Sequence, residues 1–160
     1  MSSPSDDPLA GDPGWIPVTL PHLVIGDAPS QFLGQPVGAG PVSVRWFREG
    51  AGGLVGKAWF GPKAEGPPGH AHGGSMAAVL DEAMGGAAWL AGHPVLAGEI
   101  TVRFLRAMPL CTAARVHAEV TEVEGRKVRS AGRLVGPDGT VHATSTGTFI
   151  VIGRARFSTP

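Results

Sequence analysis

The run His72-Gly73-Gly74-Ser75-Met76-Ala77-Ala78-Val79-Leu80-Asp81-Glu82-Ala83-Met84-Gly85-Gly86 holds the residues best suited to chemistry. Gly73 and Gly74 open a helical pattern, where the first N–H groups point outward without intrahelical partners. With no side chain in the way, a carbonyl or phosphate oxygen can reach those donors. Asp81 and Glu82 are the only formal charges between Ser75 and Gly92. A carboxylate with Ala77, Met84, Gly85 and Ala88 as helical neighbours is either exposed at a cleft or partly desolvated, and desolvation raises its pKa and basicity. The stretch therefore offers an oxyanion site and a candidate base. They lie about 10–13 Å apart at 1.5 Å per residue, too far for one helix to serve one reacting carbon. A second, antiparallel copy of the helix would bring one chain's Asp81 near the other chain's Gly74.

Other reactive types have weaker contexts. His70-Ala71-His72 has a metal-like spacing, but no Cys or clustered acid accompanies it, so no metal site is expected. Ser75 follows no Gly-x-Ser-x-Gly elbow and is not read as a nucleophile. Cys111 has no identified activating partner and reads as a buried thiol. Glu82 reads as a structural carboxylate or one hydrogen-bonded to a neighbouring strand. Arg126, Lys127 and Arg129 surround a turn, either as a phosphate grip or as a solvated hairpin tip. Arg154 and Arg156 are equally open.

The elements that must position these groups follow from periodicity. Met76, Val79, Leu80, Ala83, Ala87 and Leu90 form a core-facing helical stripe. The opposite side carries Ala77, Ala78, Gly85, Ala88 and Trp89, so the helix is apolar all round and should be buried all round. Gly92-His93-Pro94 stops it. Before it, Val42 to Phe47 and Leu54 to Phe60 flank a Gly-rich turn and read as a hairpin. Gly61 to Ala71 is a Pro/Gly loop leading to the helix. After it come four strands: Glu99 to Arg106, Ala114 to Val123, Lys127 to Val135 and Thr140 to Ile152. Glu124-Gly125 and Pro137-Asp138-Gly139 are turns between them. The order β-β-α-β-β-β-β with short turns predicts an antiparallel sheet around one long helix, an α+β domain.

Residues 1–41 read as a Pro/Gly-rich extension, 42–153 as the domain and 154–160 as a short tail. Met1 to Gly14 reads as disordered. Trp15 to Ile25 reads as an extended surface segment, because its prolines forbid a helix interior or central strand. Phe32 and Leu33 are candidates to pin the extension down.

Thirteen basic and thirteen acidic residues cancel, which argues against a general nucleic-acid binder. An apolar fraction of 42% suffices for a core. A single cysteine allows no intrachain disulfide, so a reducing, cytoplasmic setting is expected. No signal-peptide pattern is read at the N-terminus, and no apolar run reaches membrane-spanning length.

These residues carry a resemblance. Gly66-Pro67-Pro68-Gly69 leading to His72-Gly73-Gly74, then Leu80-Asp81-Glu82-Ala83-Met84-Gly85, then Val102-Arg103-Phe104-Leu105-Arg106, and finally the strand ending Gly147-Thr148-Phe149-Ile150-Val151 are similar to the hotdog fold. In particular they resemble its PaaI-like acyl-CoA thioesterases, from roughly Val42 to Ile152. The resemblance implies a homodimer or homotetramer, with two sites at the dimer interface, each built from both chains. It implies hydrolysis of an acyl-CoA thioester, with coenzyme A entering as part of the substrate and no bound cofactor. Asp81 falls on the catalytic carboxylate, as general base or nucleophile. Gly74, with Gly73, falls on the oxyanion donors, and His72 holds the loop or touches substrate. His70, Ser75, Arg126, Lys127 and Arg129 are the candidate substrate contacts. Family members often carry an Asn or Gln where this chain has Gly66, and a Ser or Thr where it has Ala97. A non-catalytic acyl-CoA-binding module and an enoyl-thioester hydratase or dehydratase remain as alternatives.

Overall fold

The structure, a computed structural model, describes residues 6–21, 24–25, 28–29 and 32–153. The elements are β1 (Trp15–Pro17), β2 (Val24–Ile25), β3 (Ala28–Pro29), β4 (Val42–Glu49), β5 (Leu54–Phe60), α1 (Gly73–Leu90), β6 (Val95–Phe104), β7 (Thr112–Glu124), β8 (Lys127–Val135) and β9 (Val141–Val151). Seven strands form one sheet in the order β1-β4-β5-β7-β8-β9-β6, with every neighbouring pair antiparallel. The predicted order of six strands and one helix is present, and β1 to β3 are additional.

Alternation puts one face of each strand against α1. Leu80 packs beside Gly132 of β8. Met84 reaches Gly147 of β9 and takes a hydrogen bond from Ser145 Oγ to its sulfur at 3.4 Å, while Gly85 faces Phe149. The helix stripe is buried as its spacing requires: Met76, Val79, Leu80, Ala83 and Ala87 all lie in the core. At the far end, Trp89 Nε1 donates to the Val95 carbonyl at 3.1 Å and ties the helix to the start of β6.

Strand β6 begins at Val95, four residues before the sequence reading placed it. Its register against β9 shifts between Ala97 and Glu99. That bulge at Gly98 interrupts the two-residue alternation, which hides the first half of the strand from a periodicity argument. Beyond the bulge, Ile100, Val102 and Phe104 share the inner face.

Residues 6–14 are docked, in contrast to the disorder expected for Met1 to Gly14. Asp7 pairs with Arg45 at 2.7 Å. Asp12 pairs with Lys57 at 2.9 Å and with Arg115. Arg45, Lys57 and Arg115 stand in direct register on β4, β5 and β7, so three like charges line up on the outer face and the two carboxylates neutralise them. β1 then pairs with β4 at the sheet edge, a place where Pro17 costs no ladder bond. Leu20 turns inward and is fully buried, a correction to the surface reading of this segment. A Cβ on Gly86 would lie 2.6 Å from Leu20 Cδ1, so the helix glycine makes the room that Leu20 fills. Leu33 is buried as a pin, whereas Phe32 is exposed. Arg154 and Arg156 lie outside the described residues. Among the described residues, no helix is long and apolar enough to cross a membrane.

Candidate active site

The loop before α1 is held on both sides. His72 N–H donates to the Ala64 carbonyl at 2.7 Å, and Gly66 N–H to His70 O at 2.9 Å. Ala71 N–H donates to Met108 O at 2.8 Å, and Leu110 N–H to Gly69 O at 3.1 Å, which fastens the loop to the segment between β6 and β7. This tight path explains Gly66. A Cβ there would sit 2.7 Å from His72 Cα, so no side-chain amide can occupy the position without displacing the start of the helix. Ala97 lies on β6 opposite Phe149 and offers no hydroxyl.

His72 is the N-cap of α1. Its Nδ1 accepts the Gly74 N–H at 2.8 Å, and its carbonyl accepts both the Ser75 N–H at 3.0 Å and the Ser75 hydroxyl at 2.6 Å. The ring is therefore the tautomer with the proton on Nε2. The Gly74 amide, expected as the main oxyanion donor, is already taken. The Gly73 N–H has no acceptor among the described residues. Beside it, the Phe104 ring puts Cε1 and Cζ 3.4 Å from the point a Gly73 Cβ would occupy. Which glycine is free depends on the rotamer of His72, and no sequence pattern reports a rotamer. The Ser75 hydroxyl is thus turned back onto the loop backbone. His70 is partly exposed, with Nδ1 2.9 Å from the Pro68 carbonyl.

Asp81 sits two turns into α1, half-buried, one turn before Met84 and Gly85, which meet Gly147 and Phe149 of β9. Burial pushes its pKa up. Glu82 is perturbed further, to about 7, first by burial and then by the Asp81 charge. Its Oε2 is buried without a hydrogen-bond partner among the described residues, which corrects the expectation of a bond to a neighbouring strand. The signal available in the sequence was two adjacent acids in an otherwise apolar helix. No group of three His, Cys, Asp or Glu that could hold a metal ion occurs among the described residues.

The basic turn is not brought to this site by its own chain. Val151 N–H donates to Arg126 O, Val151 pairs with Val95, and Val95 O accepts from Trp89, so the β7–β8 tip belongs to the C-terminal end of α1. Gly73 is at the other end, about 25 Å away at 1.5 Å per residue. Arg129 pairs with Glu122 at 2.6 Å, Arg126 donates to Val151 O at 3.2 Å, and Lys127 is exposed. Cys111 is exposed, not buried, and has a positive φ of 58°.

With this geometry in view, the likeness to known proteins is informative. Residues 68–143, from the loop before α1 into the start of β9, match the Thioesterase superfamily. The fold is the hotdog fold. The chain is similar to the Escherichia coli PaaI protein of the phenylacetic acid degradation operon (TM-score 0.62, 20% identity, 70% of this chain and 80% of that one). It is also similar to a hypothetical thioesterase of Streptococcus pneumoniae solved with coenzyme A (TM-score 0.65, 17% identity, 69% of this chain and 90% of that one). In sequence it is 32% identical over 100 residues to the bovine acyl-coenzyme A thioesterase THEM4. That match covers 62% of this chain but only 41% of the bovine protein, so the chain spans about two fifths of the relative's length.

Proposed function

We propose that this hotdog domain hydrolyses acyl-CoA thioesters as a homodimer or a pair of dimers in the cytoplasm, with coenzyme A entering as part of the substrate. The observation that carries the reading is the unclaimed Gly73 N–H at the helix N-terminus, with a half-buried carboxylate, Asp81, two turns along the same helix. Likeness to acyl-CoA thioesterases supports the substrate class, and the coenzyme A bound in the pneumococcal relative supports the leaving group.

The open edge of the sheet supports dimerisation. β6 is an edge strand of ten residues, and its unpaired edge is a template on which another strand can pair. Two-fold pairing of β6 with β6 sets the helices antiparallel. It moves the partner's Asp81 toward Gly73 and the partner's β7–β8 tip toward the same end, where Arg126 and Lys127 would meet phosphates. The thioester oxygen rests on Gly73 N–H. Asp81 of the other chain either takes a proton from water as it attacks the carbonyl carbon, or attacks directly to give an anhydride that water opens. The tetrahedral oxyanion collapses, the C–S bond breaks and the thiolate leaves. His72 keeps the first turn in shape and withholds Gly74 from substrate.

The absence of a side-chain amide at Gly66 and of a hydroxyl at Ala97 favours one second reading, a module that binds acyl-CoA without cleaving it. Free-thiol release from a panel of short, long and aryl acyl-CoAs separates the two. Turnover by the wild type that collapses in a folded, dimeric Asp81→Asn supports the esterase; binding without thiol release supports the module. A single turnover in oxygen-18 water distinguishes the two roles of Asp81, since only the anhydride route can carry label into its carboxylate.

A further inference from the structure

Phe104 is a large apolar side chain left 53% exposed at the end of edge strand β6, with the tip of its ring against Gly73. Gly73 carries the one first-turn amide that His72 leaves unclaimed, so an oxygen bound there has this ring as its neighbour. The strand separates polarity by face. On the inner face, Val102 and Ile100 follow Phe104 and are half-buried, and Ile100 reaches Gly147 beside Met84. This apolar track runs about 13 Å along the strand at roughly 3.3 Å per residue. Arg103, on the outer face, and Arg106, in the following turn, are exposed. To a bound acyl-CoA, Phe104, Val102 and Ile100 would offer apolar contact on the inner face, and Arg103 and Arg106 positive charge away from it.

We propose that Phe104 is a specificity-determining residue: its ring walls the space in front of Gly73 and excludes acyl groups that are branched or ring-bearing at the carbon next to the carbonyl. The inference rests on the thioesterase reading above and names the side of the substrate that the ring meets.

The test compares kcat/KM for hexanoyl-CoA and benzoyl-CoA in the wild type, Phe104→Ala and Phe104→Leu, with oligomeric mass and melting temperature measured for each. The expected result is a benzoyl-to-hexanoyl ratio at least about tenfold higher in Phe104→Ala, and a smaller rise in Phe104→Leu, the scale that a few methylenes of pocket space command. If Phe104→Ala does not fold, the Leu variant carries the comparison. A ratio that stays constant while both substrates slow together assigns the ring to folding or dimer contact and overturns the proposal. So does a ratio that falls, because the ring would then attract aryl groups. A wild type that releases thiol from no member of a wider acyl-CoA panel removes the thioesterase reading itself, and with it this inference, before any variant is compared.

Discussion

Two sets of carboxylates in this chain meet opposite fates. Asp7 and Asp12 belong to the N-terminal segment on the outer face of the sheet, and each is met by cations. For Asp7, the hydrogen bond from Arg45 leads in lowering the pKa, helped by the Leu9 N–H. For Asp12, burial pushes upward, but hydrogen bonds from Arg115 and Lys57 outweigh it and the pKa ends below the usual range. Asp81 and Glu82 lie on the helix, with no salt-bridge partner among the described residues, and burial pushes both up. A carboxylate's role here is set by where cations are supplied and where they are withheld. Paired groups fasten a strap and sit below the usual carboxylate range; unpaired groups are held above it.

The comparison can be broken at several points. The largest effect is expected at Asp81, the proposed base or nucleophile: the Asn variant should lose at least about a hundredfold in thiol release while keeping the wild type's oligomeric mass. Retained turnover in the folded variant would put Asp81 with the structural carboxylates. Next, Leu20→Ala should cost about 2–4 kcal/mol in denaturant unfolding, because it empties the space opposite Gly86. A loss below about 1 kcal/mol would mean that the strap lies on the core without being part of it.

The two sets should also differ in sign with pH. Glu82 has a folded pKa of about 7 against an ordinary 4.5, so its contribution is full below the ordinary value and is lost as pH rises toward 7. The wild-type melting temperature should fall between pH 5 and pH 8, and Glu82→Gln should flatten that slope. An unchanged slope would show that Glu82 finds a cation in the assembled protein. Asp12 runs the other way: its lowered pKa stabilises the fold above the usual carboxylate range, and this is lost in acid. Asp12→Asn should cost about 1–2 kcal/mol at pH 7 and much less near pH 3. Asp7→Asn should show the smallest effect, below about 0.5 kcal/mol, because both partners of its ion pair are well exposed. A larger loss would indicate that the strap docks as one cooperative unit.

Much of this was legible in order along the chain. The helix stripe from Met76 to Leu90, the β4–β5 hairpin and the turns at Gly125 and Gly139 each have a local signature, and the structure has them where the spacing puts them. The misses share a different cause. The start of β6 was hidden by a bulge, which depends on the partner strand. Leu20 looked like one more apolar residue among prolines until Gly86, sixty-six positions later, was placed against it. Gly73 and Gly74 are indistinguishable as letters, yet the His72 ring claims one amide and leaves the other.

By itself the sequence determined the periodic elements, the apolar helix and the presence of two acids within it, because these depend on residues a few positions apart. Only the tertiary structure decided which amide is free, which carboxylates receive cations and which ring lies beside Gly73. Those outcomes depend on groups distant in sequence competing for the same space and the same hydrogen-bond partners, and that competition is resolved only when the chain is packed.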